Sequence, residues 1–207
     1  MTFKKQKYTI VKKSITKDLA LFIYNYFLLK RQVADTLFKT TYISPFETMF
    51  GVWNDKQVPN TYSHYADNVM ETLLLKVQPI VEKETKLKLN PNYSYARIYK
   101  KGDILEKHID RFSCEISTTL NLGGTLWPIY LKSKTKTIKV NLLPGDMLIY
   151  KGSELEHWRD PLEGEECAQV FLHYNNNKTK EADQNMFDGR PHLGLPQFFK
   201  KDETKNK

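Results

Sequence analysis

Hydrophobic positions divide the chain into two textures. Over residues 16–38 they recur every three or four positions, as Leu19, Phe22, Tyr26, Leu29, Val33 and Leu37. That spacing lays apolar side chains along one stripe of a helix. Thr16 is placed to cap this helix and Asp18 to sit in its first turn, where free N–H groups favour a hydroxyl oxygen and a negative charge. A second helical pattern covers residues 63–84, with Val69, Leu73, Val77, Ile80 and Val81 on one face. Pro79 lies inside it, has no N–H to donate, and predicts a kink or a split. Between the two, residues 40–61 carry Pro45, Gly51 and Pro59 and no regular period. They read as a long loop with short pieces of structure.

After Asn90 the apolar runs become short, rich in Tyr, Ile, Thr and Val, and separated by Gly, Pro and Asp. The predicted strands are 93–99, 105–109, 115–122, 127–131, 137–142, 147–150, 156–158 and 167–174. Closely spaced strands with no helix between them predict an antiparallel sandwich or barrel. Helices that precede such a sheet pack against one of its faces. The chain thus reads as one domain over residues 1–199: helical support over 14–90, a β core over 91–176 and a C-terminal extension over 177–199. The extension contains GRPHLGLPQFF, apolar enough to dock on the body, with no pattern to say where. Residues 200–207, KKDETKNK, read as a flexible tail.

At 207 residues the chain can bury one good core. A content of 40% hydrophobic and 27% charged residues excludes a disordered or fibrous class. The net charge of +8 would suit nucleic acid or an acidic membrane surface. The lysines are dispersed, however, and no cluster interleaves aromatics with arginines, so the basic surface reads as solvated and nucleic acid is disfavoured as a partner. Cys114 and Cys167 are too few for a disulfide framework or a thiolate zinc site. A reduced, intracellular setting is the simpler reading. The basic N-terminus lacks the apolar core of a signal peptide. The apolar stretch 19–29 is too short to span a bilayer. These features together predict a soluble cytoplasmic protein with no membrane partner, and they leave its oligomeric state open.

Chemistry enters at His108-Ile109-Asp110. Residues two apart on a strand point to the same face, so an imidazole and a carboxylate would project together. A third ligand is offered by His157, in Glu156-His157-Trp158 on a late strand. Two imidazoles and one carboxylate on one side of a metal leave the opposite positions open, and neutral imidazoles with a hard carboxylate suit Fe(II), where thiolates would favour zinc. The alternative is that both histidines only hydrogen-bond inside a barrel-shaped binding module.

Residues 93–174 also resemble the core of the 2-oxoglutarate and Fe(II)-dependent dioxygenases, most closely the prolyl 4-hydroxylase branch. The resemblance is carried by Ala96-Arg97-Ile98-Tyr99 with Gly102, His108-Ile109-Asp110, Ile116 to Leu122, Pro144-Gly145-Asp146-Met147-Leu148-Ile149-Tyr150, and His157. It implies an α+β fold whose core is a double-stranded β-helix (jelly-roll, cupin-like) with N-terminal helices packed on one face. It implies His108, Asp110 and His157 as catalytic iron ligands, Tyr99 in the co-substrate pocket and Thr119 on its floor. The cofactors implied are Fe(II), 2-oxoglutarate and O2, with room for ascorbate as a reductant. The activity implied is hydroxylation of a C–H bond, of a peptidyl proline or another protein residue, so that the partner is a protein or peptide. An oxygenase of this kind acting on nucleic acid or a small molecule is the other possibility.

One part of the pattern is missing. The family places an Arg or Lys nine or ten residues after the second histidine to pair with the far carboxylate of 2-oxoglutarate; this chain has Glu166 and Cys167 there. Glu166 would repel the ligand. Arg159, Lys132 and Lys151 are the candidate substitutes. Strand parity favours Arg159, two positions after His157, and a guanidinium suits a carboxylate fork. Its alternative partners are Glu156 and Asp160, and the co-substrate itself could differ.

Overall fold

The patterning resolves into two antiparallel sheets and three α-helices among the residues described, 3–133 and 136–200, of a computed structural model. Numbered along the chain, the first sheet runs β1 (Tyr8–Val11), β8 (Met147–Tyr150), β5 (Ile116–Gly124), β10 (Glu166–Asn176), β3 (Leu89–Lys100) and β2 (Tyr62–Tyr65). The second runs β4 (Leu105–His108), β9 (His157–Arg159), β6 (Ile129–Lys132) and β7 (Thr137–Val140). Every strand expected after Asn90 forms, with ends shifted by a few residues. The two edge strands of the larger sheet, β1 and β2, were not expected. Their sequences, YTIV and YSHY, are too short to show a period, and they are strands only because β8 and β3 offer them an edge.

The helices α1 (Phe3–Gln6), α2 (Lys17–Lys39) and α3 (Asn68–Thr85) cover the larger sheet, α2 against β5 and α3 against β3 and β10. Thr16 caps α2, its Oγ1 accepting from the Leu19 N–H at 3.2 Å. The buried stripe of α2 departs from the expected one. Ala20, Ile23, Phe27 and Ala34 are buried, while Phe22, Leu29 and Val33 are 69%, 60% and 42% exposed. The helix carries two apolar stripes, and the sheet selects the one with small residues because the approach is close. A side chain at Gly123 of β5 would come within 2.9 Å of the Tyr24 ring.

The second helix begins later than its periodicity suggests, because residues 62–65 are spent in β2. Asp67 caps it, accepting from Val69 N at 2.9 Å and Met70 N at 3.1 Å. Pro79 does not split α3, which is continuous from Asn68 to Thr85. It lies on the exposed side, so the carbonyl it leaves unpaired, that of Leu75, can bond water, while Leu73, Leu74, Val77 and Val81 hold the helix to the sheet. His64 is buried, with Nδ1 3.2 Å from the capping carboxylate of Asp67.

Alternation along the central strands sorts the core. Leu120, Ile149, Val170, Ala96 and Ile98 face the helices in one apolar cluster. The opposite face of the same strands presents Ser117, Thr119, Gln169, His173, Arg97 and Tyr99, nearly all buried, toward the smaller sheet. That polar inner face is where the site is built. The C-terminal extension docks through Arg190, whose guanidinium meets Glu71 of α3 at 2.8 Å and the Asn92 carbonyl at 3.1 Å. Of the expected tail, Lys200 reaches Asp188 at 2.5 Å, and 201–207 lie outside the described residues. Both cysteines are free and buried. Among the described residues no helix is long and apolar enough to cross a membrane.

Candidate metal centre

The register of β4 with β9 sets His108 opposite His157, and their ring centroids lie 4.2 Å apart. Asp110 follows β4, and its Oδ1 is 3.5 Å from Nε2 of each histidine. Both Nδ1 atoms are spent on backbone carbonyls, that of Glu106 at 2.7 Å and that of Leu155 at 2.9 Å. A carbonyl only accepts, so each Nδ1 carries the proton and each Nε2 turns its lone pair to the centre.

The carboxylate is held as firmly. Asp110 N–H donates to Gly152 O at 3.0 Å, and Ser117 Oγ donates to Asp110 Oδ2 at 2.8 Å. Gly152 leaves the room for this: a Cβ there would lie 2.3 Å from Asp110 Oδ2 and 2.5 Å from Ser117 Oγ.

Electrostatics match the geometry. Burial would raise the Asp110 pKa, but the neighbouring imidazoles of His108, His157 and His173 and the Ser117 hydroxyl outweigh it and hold it at about 2. Burial lowers His157, keeping its lone pair free. At His108 burial also acts downward, but Asp110 and the Glu106 carbonyl outweigh it and the net direction is up. Adjacent vertices of an octahedron with bonds of about 2.1 Å are roughly 3 Å apart, so separations of 3.5 Å need only a small side-chain adjustment. Two neutral nitrogens and one hard oxygen thus fit a divalent first-row ion such as Fe(II). Asp110, Cys114 and His173 form a second close group. Burial pushes the Cys114 thiol up to about 12 and His173 down to about 4, and they bond Tyr93 and Ser117, so they act as neutral neighbours.

A cavity of about 250 Å3 opens on the triad, lined also by Tyr99, Tyr150, Arg97 and Phe171. Two further lining residues, Asp55 and Gln57, come from the long loop, and no sequence pattern singled them out. Tyr99 is thus one of the residues that line the cavity on the triad. Thr119 and Arg159 are not among the lining residues and stand behind the wall, with Arg159 close to Tyr99, Tyr150 and Cys167.

Arg159 is 1% exposed. It donates to the Trp127 carbonyl at 2.6 Å and to Thr119 Oγ1 at 3.3 Å, and its Nε has no partner. Among the described residues no carboxylate pairs with it, Glu156 and Asp160 included. Lys132 is exposed, and Lys151 pairs with Glu154 at 2.6 Å. Glu166 does not face the site. It turns to α2, accepting from Tyr24 at 2.5 Å and Arg31 at 3.0 Å. Inward positions on β10 are the odd ones, and Cys167 occupies the one beside Arg159. A buried cation thus stands on β9, and a thiol stands at the facing position of β10.

No family model and no curated protein matches the chain. Solved structures do match. A prolyl-4-hydroxylase from Pseudomonas putida is 12% identical, with a TM-score of 0.64 over 84% of this chain and 95% of that one. HygX from Streptomyces hygroscopicus, solved with nickel and 2-oxoglutarate bound, is 12% identical, with a TM-score of 0.60 over 86% of each chain. The viral collagen prolyl hydroxylase vCPH from Paramecium bursaria Chlorella virus-1, a 2-oxoglutarate complex, is 11% identical, with a TM-score of 0.57 over 84% and 98%. The chain has the fold of the 2-oxoglutarate and Fe(II)-dependent oxygenases, and prolyl 4-hydroxylases are among the structures that share it.

Proposed function

We propose that the chain is a 2-oxoglutarate- and Fe(II)-dependent oxygenase in which His108, Asp110 and His157 hold the iron. The observation that carries this reading is the convergence of two Nε2 lone pairs and one carboxylate oxygen, distant in sequence, with both Nδ1 protons already spent on carbonyls. In this reading the two sheets are a double-stranded β-helix, and the paired strands β4 and β9, with the residues just after β4, supply the triad. When bound, iron, 2-oxoglutarate and oxygen supply the oxidising power that inserts one oxygen atom into a C–H bond while the co-substrate becomes succinate and carbon dioxide.

The chain's own residues give that chemistry a place. Tyr99, Tyr150 and Phe171 wall the cavity and limit water. Arg159 is a buried guanidinium without an anion, a state that costs several kcal/mol unless one arrives. A dicarboxylate reaching past Tyr99 toward Thr119 would supply it. The substrate in this reading is a peptidyl proline or another protein residue. Two of the three structures above are prolyl hydroxylases by name. Ile109, between two of the triad residues, and Phe112 just beyond are 56% and 39% exposed, as a peptide-facing rim would require. HygX has also been solved with hygromycin B, so a small-molecule substrate is the second reading.

The test is anaerobic Mn(II) binding together with aerobic turnover of 2-oxoglutarate to succinate. Wild type should do both and His108→Ala neither. Arg159→Met should keep the metal while the KM for 2-oxoglutarate rises about tenfold or more. A wild-type protein that takes up no Mn(II) ends the oxygenase reading; an unchanged KM in Arg159→Met ends the anchor assignment. Gain of one oxygen atom by a proline-containing peptide, but not by small molecules, would separate the two substrate readings.

A further inference from the structure

Residues 55–58 belong to the long loop and cross the mouth of the metal cavity. Val58 is 3% exposed and packs with Tyr99 and Leu105, which anchors the segment. Asp55 turns inward to an ion pair with Arg97 of β3. Gln57 lies between Arg97 and the triad. Its Oε1 accepts from Arg97 Nη1 at 3.3 Å and Nη2 at 3.2 Å, and its Nε2 is 3.1 Å from His108 Nε2.

Two constraints follow. Arg97 has only donors, so the Gln57 amide is oriented: a flipped amide would set its NH2 against the guanidinium. The Gln57 N–H therefore points at the metal centre. His108 Nδ1 is protonated by its bond to the Glu106 carbonyl, so Nε2 offers one lone pair, and that pair can accept from Gln57 or bind a metal but not both.

Building on the oxygenase reading above, we propose that Gln57 is a co-substrate-binding residue. Its amide leaves His108 when the metal takes that nitrogen, and then donates to an oxygen of 2-oxoglutarate on the metal's open face. Gln57 thus works against the metal alone and with the metal once the co-substrate is present. A residue that merely propped the loop would not produce opposite signs.

The test is calorimetric titration without oxygen, first with Mn(II) alone and then with 2-oxoglutarate on the Mn(II)-loaded protein. Gln57→Ala should bind Mn(II) as tightly as wild type or up to about fivefold more tightly, and 2-oxoglutarate about fivefold more weakly, the worth of one hydrogen bond. Gln57→Glu keeps an acceptor for Arg97 but has no donor, and should also bind 2-oxoglutarate about fivefold more weakly. Wild-type 2-oxoglutarate affinity in both variants overturns the proposal. So does a parallel loss of Mn(II) and 2-oxoglutarate affinity in Gln57→Ala, the mark of a structural role. In either case wild-type Mn(II) binding would still stand. Failure of the wild type to bind Mn(II) would remove the oxygenase reading, and this inference with it.

Discussion

At the scale of single residues, the site depends on what surrounds its three ligands as much as on the ligands. Gly152 is the clearest case, because any side chain there collides with Asp110 Oδ2 and Ser117 Oγ. Gly152→Ala is expected to leave the fold intact and weaken Mn(II) binding by about 10- to 100-fold, the cost of disturbing the groups that orient a ligand. Metal titration alongside circular dichroism checks it; unchanged affinity would mean that the carboxylate has other room. His108, Asp110 and His157 could be named from their residue types and strand parity. Gly152, Ser117, Asp55 and Gln57 could not, since nothing along the chain links them to the triad. Arg159 is intermediate: parity pointed it inward, but only the structure shows that it has no carboxylate partner and that Glu166 is occupied elsewhere.

At the scale of elements, helix α3 starts where Asp67 ties together two roles. It caps the helix and also receives Lys30 and Tyr26 from α2, as well as His64. Burial would raise its pKa, but His64 and Lys30 outweigh that and hold it well below the usual carboxylate range. A folded pKa below the unfolded value of about 3.9 means the stabilisation is complete above that pH and is lost as the pH falls below it. Asp67→Asn keeps the cap but removes the charge. It is expected to cost about 2 kcal/mol at neutral pH and to flatten the acid limb of stability below about pH 4. Urea denaturation across pH measures both, and an unchanged acid limb would show that another carboxylate dominates it. The element-level reading was sound where a period ran long, as in α2 and the strands of the core. It was wrong about which stripe of α2 is buried, since Phe22 and Ile23 belong to equally plausible faces until a sheet approaches one of them. Of the two outcomes expected at Pro79, the split does not occur, because the proline lies on the solvent side of α3.

At the scale of the whole molecule, the C-terminal extension is bound to the body through the buried Arg190–Glu71 pair, together with Asp188, which meets Arg111 and Tyr65. Arg190 and Glu71 side chains are 0% and 2% exposed. Removing one partner of such a pair strands the other charge, so Glu71→Ala is expected to cost about 3–5 kcal/mol. It should also free residues 186–200 for proteolysis ahead of the core. Chemical denaturation and timed protease digestion measure this, and a protected extension would show that its remaining contacts, those of Asp188 among them, suffice to hold it. Nothing in GRPHLGLPQFF named this partner, because a salt bridge over such a separation leaves no periodic trace. The order of residues alone could specify the longer local elements, α2, α3 and the strands after Asn90, and two imidazoles with a carboxylate at inward positions. It could do so because helix and strand periods, caps and parity are properties of neighbouring residues. Tertiary structure alone decided which helix face is buried, which charged groups are left without partners, and which loop residues reach the triad. Those outcomes depend on distances between segments far apart in the chain, and such distances exist only once the sheets have closed on each other.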